Sequence, residues 1–242
     1  MKIGTKKLEN FMVIAIVLTG LLIIFNQIQL SAISSSLDSL TGTTSKSSTF
    51  FSFGSKQSDL SNVDVSEVSS TAMAVALLFP ELENIKDDQD AISIMLPTGT
   101  PEYSEALGGI SFDDPVNSME YLAKWYNTIK QEVQQNDPQT WQRYLNLAAA
   151  PRGISCEFCC GVGAQGITAD GNLKCGCKHN PAAQAIALGL MKSTDYSDAE
   201  ILKEVMKWKT LFFPKNMIGL AMEVAGTDPS QLKDLPGMVG GC

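Results

Sequence analysis

The sequence predicts a mainly α-helical domain that follows a single N-terminal transmembrane helix. Three observations predict this fold class: an apolar run close to the N-terminus, helix-start signals along most of the remaining chain, and few strand patterns outside one cysteine-rich segment. The chain has 242 residues, of which 44% are hydrophobic, so it is long and apolar enough to bury a core of its own.

The apolar run that predicts the membrane helix extends from Phe11 to Phe25, and no charged residue occurs between Glu9 and Asp38. A spanning helix needs about 20 mostly apolar residues, and the uncharged segment up to Ile33 supplies the remainder. Lysines precede the run, which predicts a cytoplasmic N-terminus and a single-pass protein of the cell membrane whose larger part lies outside. Residues 1–33 are therefore assigned to a cytoplasmic tip and a signal-anchor helix in the lipid bilayer.

A cleaved signal peptide is the alternative explanation of this run, because the small residues Ala32 and Ser34 follow it and could form a cleavage site. The uncleaved anchor is favoured because polar and bulky residues, from Asn26 to Leu30, come first. Mass spectrometry of the extracted protein distinguishes the two, since cleavage would leave an N-terminus near Ser35.

Residues 34–62 are predicted to form a linker, because Ser, Thr, Gly, Lys and Asp dominate the stretch and leave little apolar surface to bury. Four apolar residues around its start have the spacing of one helix face: Leu30, Ile33, Leu37 and Leu40. This spacing suits a helix that pairs with a second copy of the chain, and it also suits a helix that frays into the linker. A homo-oligomer or an envelope protein partner is compatible with the sequence.

Residues 63–227 are predicted to form the helical domain, and residues 228–242 a flexible tail. Helix-start signals recur in the domain, as a capping side chain before proline or as a capping box: Asp114-Pro115, Asp137-Pro138, Asn180-Pro181, and Ser197 with Glu200. Helices are accordingly predicted at Ser66–Leu78, from Pro115 to Val133, from Pro138 to Leu147, after Pro181, from Ser197 to Leu211 and at Met217–Ala225. The segment Asp88–Leu96 fits a strand or a helix.

A Cys/His cluster, residues 154–180, interrupts the helical pattern. Five of the 6 cysteines fall between Cys156 and Cys177, and the sole histidine, His179, follows them. Cys156-x-x-Cys159 has the spacing of a thiolate knuckle, in which a tight turn directs two sulfurs to one point.

The second half of the cluster is predicted to form a small β-hairpin. Asp170-Gly171 is a strong hairpin-turn pair, and Cys175-x-Cys177 places two thiols on the same face of a strand because strand side chains alternate. His179 continues that face. The hairpin would bring these three side chains back to the first group of cysteines.

The cluster offers six ligands for a transition metal: Cys156, Cys159, Cys160, Cys175, Cys177 and His179. Zinc is the predicted ion, with copper or an iron–sulfur centre as alternatives. The two spaced cysteine pairs supply four ligands without distorting the backbone. Cys160 is predicted to be a poorer ligand because it adjoins Cys159, and His179 is predicted as a substitute for Cys177.

Two other uses of the cysteines stay open. In an exported protein they could form structural disulfides, which would make the chain a stapled structural or interaction component of the cell envelope. The pair Cys156 and Cys159 could also exchange thiols and disulfides. Metal binding is favoured because the cysteines are nearly adjacent, whereas disulfides within a few residues remove little unfolded-state entropy.

Charge and motif content exclude several function classes. The chain has 18 Lys+Arg against 26 Asp+Glu, a net charge of -8, so it lacks the basic surface that nucleic-acid binding requires. One histidine is too few for two-histidine metalloprotease motifs, and no dinucleotide fingerprint, P-loop or nucleophile elbow occurs. Nothing supplies a third group to orient a Cys–His nucleophile, so the sequence does not indicate an enzyme.

The segment from Lys174 to His179 reads KCGCKH, and a helix carrying SDAEIL from Ser197 to Leu202 follows it. This pattern resembles the exported PCYCGC-motif proteins of bacteria, although the Pro-Cys-Tyr part is absent. It is also similar to small membrane-anchored archaeal proteins that pair a CxxCC element with a CGCxH element. The resemblance covers Ile154 to Pro214 and implies a membrane-tethered metal or redox site outside the cell, without implying a reaction.

Overall fold

A computed structural model describes residues 60–232 and 235–241 of the chain, and α-helices dominate these residues. The eight α-helices of this part are α1 (Thr71–Leu78), α2 (Asp88–Met95), α3 (Pro115–Asn136), α4 (Pro138–Ala148), α5 (Glu157–Cys160), α6 (His179–Ser193), α7 (Asp198–Phe212) and α8 (Pro214–Val224). Short 3-10 helices lie at Pro80–Asn84, Glu105–Leu107 and Pro229–Gln231. The predicted mainly α-helical fold class is confirmed.

The predicted anchor and the linker up to residue 59 lie outside the described residues. Within the described ranges, no helix combines the length and the apolar character that a bilayer crossing requires. The chain is already part of the domain at Leu60, whose side chain is buried and whose carbonyl accepts a hydrogen bond from Ser197 Oγ at 3.1 Å.

The helix starts follow the local signals in the sequence. Asp114 and Asp137 cap α3 and α4, each with proline at the first helical turn. Ser197 and Glu200 form the predicted capping box of α7, with the Glu200 backbone N–H 3.2 Å from Ser197 Oγ and the Ser197 N–H 2.7 Å from Glu200 Oε2. These starts are confirmed because each depends on side chains within three residues of the helix.

Some helix starts differ from the sequence prediction, and α8, for example, begins at Pro214 rather than Met217. Helix α1 begins at Thr71 rather than Ser66, because the Ser70 side chain accepts the Met73 N–H at 3.1 Å and sets the N-terminus there. The ambiguous segment from Asp88 is a helix, and Asp87 caps it through the same kind of hydrogen bond.

Helix α6 lies at the centre of the domain. Every residue from His179 to Met191 is buried, and the helix packs mainly against α3 and also against α4 and α7. A helix that is apolar on all sides must be covered on all sides. Close packing continues to Gly189, where a Cβ atom would lie 3.0 Å from the Trp125 ring.

A chain of buried polar groups connects this core to the cysteine-rich segment. The hydroxyl groups of Tyr126 and Tyr144 are 3.0 Å apart, and Tyr144 donates to Gln184 Oε1 at 2.8 Å. Gln184 Nε2 in turn donates to the backbone carbonyl of Ile154 at 2.7 Å. Burial raises the pKa of both tyrosines, so they stay protonated and keep their hydrogen atoms in the network.

We expect Tyr144→Phe to lower the free energy of unfolding by about 1–3 kcal/mol, because it leaves Tyr126 and Gln184 with buried polar atoms that have lost a partner. Tyr121→Phe on the exposed face of α3 is the matched control, since its side chain is 42% exposed. Urea denaturation of both variants measures the difference. Equal free energies of unfolding for the two variants would contradict a stabilising role of the hydrogen-bond network.

Candidate metal centre

The first three cysteines of the cluster occupy one turn of helix. Cys156 is the N-cap of α5, and Gly161, with φ +66°, ends the helix in the left-handed conformation. The Cys159 N–H is 2.9 Å and the Cys160 N–H 3.4 Å from the Cys156 carbonyl. The predicted knuckle is therefore a helical turn, which places both later cysteines near Cys156 because helix positions three and four apart share a face.

The second half of the cluster turns back over α5. Gly171, with φ +80°, closes a turn in which its N–H donates to the Thr168 carbonyl at 2.9 Å. One antiparallel bridge joins Ile167 to Leu173 beyond this turn. Pairing goes no further than isolated bridges in the described part of the chain, so the β-hairpin stays a prediction.

Four cysteine sulfurs converge, those of Cys156, Cys160, Cys175 and Cys177, and we call this group the thiol tetrad. All four sulfur atoms lie within 4.8 Å of one another. Cys156 is fully buried, Cys160 is exposed, and the other two are half-buried. The prediction that the two halves of the cluster bring their cysteines together is confirmed.

The ligand atoms of Cys159, Cys177 and His179 form a second group within 4.8 Å of one another, which we call the Cys–His triad. Cys177 belongs to both groups. The arrangement differs from the predicted one, in which Cys159 was a primary ligand with Cys156 and Cys160 was a poorer one. The reason is the helical turn: Cys160 lies four residues after Cys156, so its sulfur reaches the tetrad, while Cys159 reaches His179.

His179 is a buried histidine with one nitrogen in use. Its Nε2 lies 2.9 Å from the carbonyl oxygen of Val239. A carbonyl only accepts, so Nε2 carries the proton in the neutral ring and Nδ1 keeps its lone pair. Nδ1 is buried and has no hydrogen-bond partner among the described residues. The ring of Phe213, with its centroid 4.8 Å from the imidazole centroid, holds the side chain in place.

The segment that supplies this carbonyl was predicted to be a flexible tail. In the structure, the Val239 N–H donates to the Phe212 carbonyl at 2.9 Å, and the Lys215 N–H donates to the Pro236 carbonyl at 3.1 Å. The chain near Val239 is thus fixed against the ends of α7 and α8. Its Gly/Pro composition gave no sign of these contacts.

A buried ion pair joins the first turn of α5 to α7. Lys209 is 1% exposed, and its Nζ donates to Glu157 Oε1 at 2.8 Å, to the Gly153 carbonyl at 2.9 Å and to Thr71 Oγ1 at 3.2 Å. Burial lowers the pKa of Lys209, while Glu157 and Cys156 oppose this effect. The ammonium group therefore fixes the first turn of α5 and places positive charge beside the tetrad.

We expect Lys209→Met to lower the free energy of unfolding by about 3 kcal/mol, because it leaves the Glu157 carboxylate without its buried cation. Lys192→Met is the control: its ion pair with Glu132, at 2.6 Å, is solvent-exposed, and such pairs contribute about 0–1 kcal/mol. Thermal and urea denaturation measure both. If Lys209→Met lowers the free energy of unfolding no more than Lys192→Met does, the buried ion pair does not stabilise α5.

Two amide side chains on α6 hold both halves of the cluster. Asn180 Nδ2 donates to the carbonyls of Gly166 (2.9 Å) and Cys175 (3.1 Å). Gln184, one turn later, donates from Nε2 to the carbonyl of Ile154. Asn180 was predicted to cap the helix. Instead α6 begins at His179, with Lys178 in the N-cap position, and the Asn180 amide is used across the cluster rather than along its own helix.

The tetrad favours negative charge at Cys177. A hydrogen bond from the Cys156 thiol, helped by the His179 side chain and then by the backbone N–H of Asn180, holds the pKa of Cys177 well below its ordinary value although burial opposes it. The hydrogen bond to Cys177 and burial raise the pKa of Cys156. A hydrogen bond to Cys175 raises the pKa of Cys160. A thiolate at Cys177 thus lies beside the protonated thiols of Cys156 and Cys160, and a cation would neutralise its charge.

No known protein family, no curated protein and no solved structure matches this chain. The resemblance to exported PCYCGC-motif proteins and to the archaeal CxxCC and CGCxH proteins therefore stays a prediction. Function has to be argued from the geometry of the site itself.

Proposed function

We propose that the protein binds a zinc ion through the thiol tetrad of Cys156, Cys160, Cys175 and Cys177. The observation that carries the proposal is the convergence of four sulfurs within 4.8 Å of one another. Tetrahedral zinc with Zn–S bonds of about 2.3 Å holds its sulfurs about 3.8 Å apart. The tetrad needs only a small contraction to reach that geometry.

The type of ligand and the short distances between the four sulfurs favour zinc among the transition metals. Four thiolates in a tetrahedral arrangement suit zinc or iron. An iron–sulfur cluster places several irons and sulfides between its cysteines and needs a wider spread of sulfurs than this site has. Copper(I) also prefers thiolates and is the competing ion.

A disulfide-stapled envelope component is the alternative function. Disulfides join sulfurs in pairs at about 2.05 Å, whereas Cys159 Sγ and Cys160 Sγ are 3.7 Å apart and none of the five cysteines from Cys156 to Cys177 is joined in a disulfide. The convergence of four sulfurs, rather than of two pairs, supports metal binding over stapling.

The ion would stabilise the cluster, which little regular structure holds together. Residues 161–178 contain isolated bridges and no helix, so metal binding there contributes folding free energy directly. We include in the proposal the location that the sequence predicts, an anchored domain outside the cell membrane. The exposed Cys160 places one ligand of the ion at the protein surface, which supports a role in metal handling.

Elemental analysis of the full chain tests the proposal, after extraction in detergent and anaerobic purification under reducing conditions. We expect zinc in the parent protein and in Cys242→Ser, and loss of the tetrad ion in Cys175→Ser. A parent protein without metal would overturn the proposal. So would a parent purified anaerobically without reductant whose clustered cysteines still cannot be titrated as thiols once denaturant and a chelator have removed bound metal.

A further inference from the structure

We propose that the Cys–His triad is a second metal site and that Cys177 bridges the two ions. The inference rests on the proposed function, because the bridging thiolate is also a ligand of the tetrad ion. Together the two groups use all six donors of the cluster.

The strongest evidence is the state of His179. Its side chain is 1% exposed, and Nδ1 meets no partner at hydrogen-bond geometry in the part of the chain that the structure describes, although the ring interacts with Cys177, a ligand of the same proposed site. A buried nitrogen without a partner carries a free-energy penalty that a metal ion would remove. The Nε2 hydrogen bond to the Val239 carbonyl is the outer contact that orients metal-bound histidines and leaves the other nitrogen for the ion.

Two adjacent thiols serve two ions in this arrangement. Cys160 belongs to the tetrad and Cys159 to the triad, with their sulfurs 3.7 Å apart. The helical turn of α5 directs successive side chains to different sides, so each thiol has an ion within reach. This explains why the sequence carries neighbouring cysteines where a single site would need one.

A shared Cys177 is compatible with two cations. Ions bound to one sulfur by bonds of about 2.3 Å lie no more than about 4.6 Å apart, and the two-metal sites of proteins have separations of about 3.5–4 Å. The negative sulfur between the ions offsets their repulsion. Binding of the second ion forms metal bonds to Cys159 Sγ and His179 Nδ1, releases to solvent any proton that these atoms carry, and involves no electron transfer.

The second ion is the exchangeable one. Three protein ligands leave a fourth coordination position for water or for a donor from another molecule, as in open zinc sites. The tetrad ion has four protein ligands, one of them the fully buried Cys156. We therefore expect a chelator to remove the triad ion first. We also expect an external thiol or imidazole to bind the triad ion and to accept it by ligand exchange.

Zinc titration followed by native mass spectrometry tests the second site, with full-length reduced protein in detergent. We expect two ions per chain in the parent and in Cys242→Ser, and one ion in Cys159→Ser and in His179→Gln. Cys159 is only partly buried, so its serine variant preserves the core if the buried His179→Gln does not fold. In the parent, one ion should leave faster than the other when a chelator is added.

The outcomes separate the two proposals. One ion in both the parent and Cys159→Ser would overturn the second site and leave the tetrad proposal standing. Two ions in both would overturn the assignment of Cys159. A parent that binds no zinc would overturn both proposals.

Discussion

Replacing Cys156 by serine is expected to weaken zinc binding by the tetrad more than about 100-fold, since loss of even a supporting outer contact weakens metal sites by about 10–100-fold. Cys156 is the one fully buried sulfur of the tetrad, and its thiol also hydrogen bonds to Cys177. The serine oxygen is a poorer zinc ligand than a thiolate. Competition with a chelator of known affinity measures the change.

Cys159→Ser is the matched control, because Cys159 lies in the same helical turn but outside the tetrad. We expect its tight zinc affinity to stay within a few-fold of the parent value. Equal losses of that affinity in Cys156→Ser and Cys159→Ser would contradict the assignment of the tetrad.

Gly166→Ala is expected to cause the largest loss of stability, about 2–5 kcal/mol. A Cβ atom there would lie 2.3 Å from Asn180 Oδ1, 2.4 Å from Gln184 Nε2 and 2.4 Å from the Ile154 carbonyl oxygen. These atoms form the buried amide contacts that hold the two halves of the cluster on α6. The methyl group cannot fit without breaking them.

Gly176→Ala is the control for that substitution. It lies in the same cluster, between Cys175 and Cys177, and a Cβ atom there meets no other atom within 4 Å. We expect its stability to change by less than about 0.5 kcal/mol. Urea denaturation of zinc-loaded protein compares the two variants, and similar stabilities would show that the amide contacts do not hold the cluster.

The helical parts of the fold could be predicted because their signals are local. Asp114 and Asp137 precede proline, and Ser197 lies three residues before Glu200, so a few neighbouring side chains set each helix start. The existence of the cysteine cluster was equally visible, since the spacing of its residues brings them together over a short length of chain.

The supports of the site could not be predicted, because they join residues far apart in sequence. Lys209 and Glu157 are 52 positions apart, and His179 and Val239 are 60 positions apart. A lysine in an amphipathic helix and a valine in a Gly/Pro tail give no periodic signal for such contacts. Only packing of α6, α7 and the C-terminal segment brings them to the cluster.

The distribution of ligands between Cys159 and Cys160 depends on one local detail. A knuckle formed by a tight turn would direct Cys156 and Cys159 to one ion, as the spacing alone predicts. A helical turn instead lets the fourth residue, Cys160, take that place. Four residues are too few for periodicity to distinguish the two conformations.

X-ray absorption at the zinc edge is the most direct test of the central claim that the tetrad holds the ion. The suitable sample is zinc-loaded Cys159→Ser, in which only the tetrad ion is expected. We expect the zinc ion to have a first shell of four sulfur atoms at about 2.3 Å. A shell of nitrogen or oxygen atoms at about 2.0–2.2 Å, or a protein that retains no zinc, would contradict it.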